Sequence, residues 1–530
     1  VMIQELTGAG FRVVALQRGP YLRARDFVSD DELRTASLFS PEQIETWRPD
    51  ANSPTQTGRF NFVAHCVGGT MAQWAGLSWR FRSDEFRVLS VEGPMPGASL
   101  ADWPIDYEEL EPYYERAEWE YGVAGDAAAN PYGAPRRRGY PNPSVPDRTA
   151  SLRLARGATR LGYRPFPAPM AINSRPYRGR PACTYGGACS GYGCPIGARG
   201  TPLSVSLPKA HKTGLLDLRP NSLAFQIELG RDGRARSVRY LDQERREERE
   251  VFARHIIVAG NAIGTPHLLL LSRSASFPDG LANSSGLVGR NLMFHVLVQV
   301  SFTIDEPALG FTGLENHRAI DDLHASDPRR GFIRGGVVTE VNFPHKQPLG
   351  YALLSHTDYG GGRPSWGGAF KEYLRKFPQV VAAAAVLEDL PMDENRIDLD
   401  PDVADAYGLP VPRITHRQHP NDLAMSAWYR ARMLELADAA DAVETWVPLE
   451  VTEEKPTQGG SHIHGTCRMG TDPSRSVVDR WCRSHDVPNL WIVDASVFPT
   501  SSGYNPTLTI LANAFRVADH FVTEAKKGAL

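Results

Sequence analysis

Apolar positions along the chain follow several distinct rhythms. Arg12–Leu16 (RVVAL) and Leu490–Val493 are short and almost unbroken, the pattern of strands buried on both faces of a parallel sheet. Ile256–Ser272 opens the same way, passes a glycine turn and continues as a helix with Pro266 near its start. Val1–Thr7 reads as the tail of a helix stopped by Gly8-Ala9-Gly10. Val296–Phe302 and Gly335–Val341 read as longer strands, and Arg396–Leu399 with Arg413–Thr415 add more. Helical patterns cover Pro420–Leu436 and Asp106–Tyr121, the latter with acidic residues in its first turns. No internal repeat is visible. Apolar runs such as Val380–Leu387 fall far short of the ~20 residues that span a bilayer.

Length changes this picture. At 530 residues the chain is too long for one core, so two large domains are expected, interleaved along the sequence. A formal charge of −3 gives no bias toward nucleic acid or anionic lipid, and Arg136-Arg137-Arg138 is short enough to be a solvated loop. Arginine outnumbers lysine, which fits a GC-rich genome better than a binding role. Six cysteines in this length make no disulfide framework. No targeting signal is visible, although the first residues need not be native ones; a bacterial cytoplasmic or periplasmic setting is expected.

The opening helix and strand have the order of the second half of a βαβ nucleotide-binding unit, but no G-x-G-x-x-G precedes them. One reading is that roughly 15 to 30 residues, with the first strand and glycine-rich turn, are missing from a unit of ~30 or more. The other is an unrelated helix–strand pair. Where such units end their second strand with a carboxylate for the ribose, this chain has Gln17, then Arg18. An amide bonds a hydroxyl less strongly than an ionised acceptor does. A second glycine-rich stretch, Val67-Gly68-Gly69-Thr70-Met71-Ala72-Gln73-Trp74-Ala75-Gly76, lets backbone approach a ligand closely.

Taken in order, Val67–Gly76, Ile256–Ser272, Asn283–His295 and Gly459–Leu511 resemble the glucose-methanol-choline family of flavoproteins, in particular the large subunits of gluconate and related sugar dehydrogenases, with pyranose oxidases nearby. The resemblance implies an α/β chain (α+β overall). A Rossmann-like FAD domain would come from residues 1–80, 200–295 and 455–530. A substrate domain on an antiparallel sheet would come from 81–199 and 296–454. It also implies that FAD contacts Gln17, Arg18, Val67, Gly68, Gly69, Thr70, Gln73, Trp74, Ala224, Gly260, Asp494, Ala495, Asn505, Pro506 and Thr507. The activity implied is oxidation of a hydroxyl on a sugar, sugar derivative or glycoside, with hydride passing to flavin N5.

That chemistry needs a base that is neutral near the working pH, and a polar group to hold the substrate oxygen. By the family motif these are His462, three residues before Gly465-Thr466-Cys467, and Asn505. Imidazole, with a reference pKa of ~6.5, suits the first task, and a carboxamide performs the second without adding charge. His464 competes for the same role, and Asn505 could instead cap a helix. Pro506 would start the final helix, whose N-terminus favours negative charge on a reduced flavin.

Some relatives anchor FAD covalently through a histidine before the tryptophan; here that residue is Gln73, so dissociable FAD is expected. Ala75 stands where some relatives place a hydroxyl residue. Cys183, Cys189 and Cys194-Pro195 resemble a segment that binds a three-iron cluster in some membrane-linked sugar dehydrogenases. Their spacing, C-x5-C-x4-C-P in place of C-x5-C-x3-C-P, weighs against iron and leaves a disulfide or a metal-free loop as alternatives. Expected partners are a carbohydrate-like small molecule, a small subunit or electron-transfer partner, and other copies of the chain; nucleic acid and a membrane span are not expected. Two other functions fit the same fold: a lyase with non-redox FAD, and a flavin-free structural partner subunit. Tyr359, Trp366 and Trp428 are candidates to stack on a sugar, although aromatics in such segments are more often core.

Overall fold

Helix α1 (Met2–Gly8) leads into β1 (Val13–Leu16), which pairs in parallel with β5 (Leu216–Arg219). A second parallel pair joins β9 (Ile256–Val258) to β17 (Leu490–Ile492). The computed structural model describes residues 1–27, 44–58, 60–187, 189–341, 348–353, 366–456 and 459–530. An antiparallel three-stranded sheet, β6 (Ser222–Leu229), β7 (Ala235–Asp242) and β8 (Glu247–Phe252), lies between β5 and β9 in the chain. Helix α4 (Asn261–Leu271) and the last helix, α6 (Thr507–Lys526), complete this layer; β17 and α6 share one apolar core through Trp491, Leu508, Phe515 and Phe521.

The other half is built on a six-stranded sheet in the order β16 (Glu444–Leu449), β10 (Val296–Thr303), β13 (Val380–Leu387), β12 (Gly336–Val341), β11 (Arg318–Ile320), β4 (Phe166–Pro167). Every pairing in it is antiparallel. One face packs under α5 (Pro420–Ala439) and α3 (Thr149–Arg160), with Val298, Val300, Ala383 and Ala385 meeting Met425, Tyr429, Met433 and Leu154. Strand β13 is buried along its whole length, which is why it is apolar at every position rather than at alternate ones. Helix α2 (Tyr107–Tyr121) is capped by Asp106, whose side chain accepts from Glu109 N at 2.8 Å, and it packs against α6. A four-stranded sheet, β14 (Arg396–Ala404), β15 (Pro410–Thr415), β2 (Glu45–Arg48) and β3 (Gln56–Gly58), completes the described strands.

Glycine lets the two halves meet without side chains between them. A Cβ on Gly503 would stand 2.4 Å from Gly335 O and 2.5 Å from Gly336 Cα, and within the six-stranded sheet one on Gly336 would stand 1.8 Å from Val386 O. The loop before α6 therefore rests on bare backbone at the ends of β12 and β13. Val337 N donates to Gly503 O at 3.2 Å, Asp389 N donates to Ser501 Oγ at 3.0 Å, and Ser501 Oγ donates to Asp389 O at 3.0 Å. Among the described residues no helix is long and apolar enough to cross a membrane.

Candidate active site

Two tail segments converge beside the start of β10. Gly465, at φ +87°, lies so close to Asn291 that a Cβ would be 1.8 Å from its carbonyl oxygen. This approach lets His464 and Met293 exchange backbone hydrogen bonds of 2.9 and 3.1 Å, which brings the histidine segment against His295. From the other side, Gly465 N donates to Ala495 O at 3.2 Å. The glycine-seated 501–505 loop delivers Asn505 to the same place, immediately before Pro506, the N-cap of α6.

There the Nδ2 of Asn505 lies 3.2 Å from His462 Nε2, and Trp79 Nε1 donates to Asn505 Oδ1 at 2.9 Å. His462 Nδ1 lies 2.9 Å from His295 Nδ1, the rings meeting edge to face at 71°. Burial pushes His462 down to about 4 and His464 to about 3, and holds His295 well below its ordinary value, with help from the two neighbouring rings. At neutral pH the rings are therefore uncharged, as a proton acceptor must be. Both residues singled out from the sequence are here, and so is His295, to which sequence reasoning assigns no role. Its signal was a histidine closing an apolar stretch directly before a buried strand.

Behind Asn505 stands a buried charged cluster that local sequence does not announce. Tyr504 stacks on Trp79 and donates to Asp321 Oδ2 at 2.6 Å. His324 lies between Asp321 and Glu85, at 3.0 and 2.7 Å, and Arg334 reaches Glu85 and Glu388 at 2.6 and 2.9 Å. Burial alone would lower His324, but its two carboxylate partners outweigh it and raise the ring to about 9. Trp79 and Tyr504 also line a cavity of about 240 Å³ with Arg80, Asp126, Arg136 and Phe166.

The residues expected at a cofactor fall into two connected groups. Gln17 directly follows β1, its Oε1 accepting from Gly19 N at 3.3 Å, with Arg18 next to it; Val67 N donates to Pro20 O at 2.9 Å, which brings Val67, Gly68, Gly69 and Thr70 beside that strand end. Gly68 and Gly69 run at φ +95° and +59°, and a Cβ on Gly69 would meet no protein atom. Gln73 is 2 % exposed, and neither atom of its side-chain amide has a partner. Trp74 Nε1 donates to Gly200 O at 3.0 Å. In the second group Gly260 N donates to Thr265 Oγ1 at 3.0 Å, and Thr265 Oγ1 donates to Asp494 Oδ2 at 2.5 Å, with Ala495 following. Ala224, in β6, pairs with Tyr240; Thr507 is the first residue of α6.

Cys183, Cys189 and Cys194 are free thiols; of the three, Cys189 is held by Arg199, which donates to Cys189 O at 3.0 Å and to Trp74 O at 2.5 Å. Among the described residues no group of three or more His, Cys, Asp or Glu is arranged to hold a metal ion. Trp428 packs on Phe332 and Tyr429 under Arg330, as part of the core, and Trp366 is 83 % exposed before the 367–375 helix; neither is brought to His462. Tyr359 lies outside the described residues.

Family models of GMC oxidoreductase match residues 103–297 and 391–514. The chain is 33 % identical to 2-methyl-1,2-propanediol dehydrogenase of Mycolicibacterium austroafricanum, over 97 % of this chain and 92 % of that one. It is 30 % identical to the fructose dehydrogenase large subunit of Gluconobacter japonicus, over 100 % and 96 %. Among solved structures, pyridoxine 4-oxidase from Mesorbium loti matches with a TM-score of 0.64 at 16 % identity, over 98 % of this chain and 96 % of that one.

Proposed function

The chain belongs to the GMC oxidoreductase family, and on that premise we propose that it oxidises a hydroxyl of a sugar, sugar derivative or glycoside to a carbonyl, with His462 as base and Asn505 as the group that holds the substrate oxygen. It is an FAD-dependent oxidoreductase of CH–OH donors. The observation that carries the residue assignment is the pairing of a neutral, buried imidazole with a carboxamide at 3.2 Å, on loops seated by glycine.

The residues present fit FAD. A buried, unpartnered carboxamide at Gln73 needs a hydrogen-bonding partner, since leaving it unpaired costs on the order of 1–3 kcal/mol. At Gly69 the turn offers open backbone, where an added Cβ would meet no protein atom. We assign the cofactor contacts to Gln17, Arg18, Val67–Thr70, Gln73, Trp74, Ala224, Gly260, Asp494, Ala495 and Asn505–Thr507, within a cofactor domain of residues 1–80, 200–295 and 455–530. When bound, FAD supplies the two-electron acceptor for the hydride that leaves the carbinol carbon.

A substrate hydroxyl inserted between the two side chains accepts from Asn505 Nδ2 and donates to His462 Nε2, replacing the long contact between them. His462 then takes the hydroxyl proton while Asn505 keeps the oxygen, and with it the carbon–hydrogen bond, in one orientation. Trp79 holds Asn505 from behind, so the carboxamide cannot rotate with the substrate. A small subunit or an electron-transfer partner belongs to the same proposal, supported by the likeness to a protein named as a large subunit. The test is anaerobic mixing of the FAD-loaded protein with a panel of sugars, glycosides and simple diols. Bleaching of the flavin bands by a carbohydrate is expected; bleaching by diols alone would overturn the substrate class.

A further inference from the structure

We propose that His295 is a positioning residue that fixes the tautomer of His462, by accepting its Nδ1 proton and so leaving Nε2 with a free lone pair beside Asn505. The inference rests on the reading of His462 as the base and concerns how that base is prepared.

The chain of hydrogen bonds through His462 and His295 ends on two groups that have no choice of direction. An indole N–H can only donate, and Trp79 Nε1 lies 2.9 Å from Asn505 Oδ1, so the oxygen of the carboxamide faces Trp79 and its NH2 faces His462. An amide NH2 cannot accept, so His462 Nε2, 3.2 Å away, must. The neutral ring then carries its proton on Nδ1, which points at His295 Nδ1 at 2.9 Å. Two ring nitrogens that face each other need one proton between them, so His295 accepts there and carries its own proton on Nε2. That nitrogen faces Ser501 O at 3.4 Å, and a carbonyl can only accept. A donor-only group at one end and an acceptor-only group at the other thus agree on the direction of every hydrogen bond. Reversing any one of them sets two donors or two lone pairs against each other. Because His295 is 3 % exposed, water is not available to repair such a mismatch. His464, whose ring centre is 5.1 Å from that of His295, adds no charge while it is neutral.

The arrangement does for His462 what a carboxylate does in other base dyads, without placing a charge in the site. When Nε2 takes up a proton, the Nδ1–H bond to His295 remains, and the new imidazolium keeps an acceptor.

The test uses FAD-loaded full chain as wild type, His295→Asn and His295→Phe. Asparagine can place an oxygen where Nδ1 stands, whereas phenylalanine keeps the ring and loses the acceptor. Anaerobic flavin reduction is expected to fall tenfold or more in His295→Phe with substrate binding little changed, and His295→Asn should recover most of the rate. Histidine ¹⁵N spectra, with His462 signals identified by their loss in His462→Gln, should show Nδ1 protonated and Nε2 bare in wild type and a shift toward Nε2–H in His295→Phe. Wild-type spectra with His462 protonated on Nε2 would overturn the proposal without any variant. So would a slow His295→Phe enzyme whose His462 tautomer is unchanged, because that is the mark of a merely structural role. Failure of the base reading looks different: His462→Ala would then reduce flavin normally, whatever the spectra show.

Discussion

Removing the imidazole at 462 should separate proton abstraction from cofactor binding, because of the residues assigned to FAD the ring meets only Asn505, which Trp79 also holds, and the rest are held by other contacts. His462→Ala is therefore expected to slow anaerobic flavin reduction by ~10²-fold or more while FAD stays bound. Stopped-flow bleaching with an absorbance measurement of retained flavin checks both halves, and a near-normal rate would move the role to His464. Gln73 carries a second prediction at this scale. A carboxamide cannot form the covalent link that a histidine can, so acid or heat precipitation should release the yellow colour into the supernatant; colour that stays with the pellet would refute dissociable binding. Both residues could be picked from the chain because their chemistry is local to a motif. His295 could not, since its function depends on which nitrogen of another ring it faces, and only the fold decides that.

Elements were legible in proportion to how far one environment covers them. Strands β9, β17, β10 and β12 and helices α2 and α5 each sit in one setting from end to end, so their apolar pattern marks them within a few residues; β1 has the same apolar run but is not buried on both faces, since Val14 is 41 % exposed and its neighbours are only half-buried. The loop over residues 501–505 has no such pattern; its path is fixed by where Gly503 can touch Gly335 and Gly336. Adding one methyl group tests this. In Gly503→Ala the new Cβ would stand 2.4 Å from a backbone oxygen, which cannot swing aside as a side chain could. Overpacking of this kind costs ~1–3 kcal/mol, and a displacement of ~1 Å at a reacting group can cost ~10²-fold in rate. Gly503→Ala is expected to lower the thermal midpoint and the flavin-reduction rate together. Gly139→Ala, where a Cβ meets no atom and the backbone is not left-handed, should change neither. Equal behaviour of the two variants would show that the loop is not seated by that contact.

Across the whole molecule, the cluster around His324 ties four distant stretches together: Glu85, Asp321 with His324, Arg334, and Tyr504 of the tail through Asp321. No local motif could reveal it, because its members are assembled only by the packing of the six-stranded sheet against the C-terminal loop. Its effect on stability has a definite sign. A folded-state value of about 9 against an unfolded value near 6.5 means that the folded protein holds the proton more tightly. The resulting stabilisation, on the order of 3 kcal/mol for such a shift, is fully present below pH ~6.5 and fades as pH rises through 9. His462 and His464 act oppositely and in a lower window. Their folded values of about 4 and 3 lie below the unfolded one, so the protein loses stability as pH falls beneath ~6.5. The two effects can be separated by difference. His324→Gln takes the charged ring away from Asp321 and leaves Glu85 with Arg334 alone, a loss that typically costs ~3–5 kcal/mol when a buried pair is broken. The gap in unfolding midpoint between wild type and His324→Gln should be widest below pH 6.5 and narrow steadily toward pH 9, because the wild-type ring there gives up the charge that glutamine never had. A gap that stays constant across that range, or widens with pH, would mean that the ring is neutral and that the cluster holds the tail by packing alone.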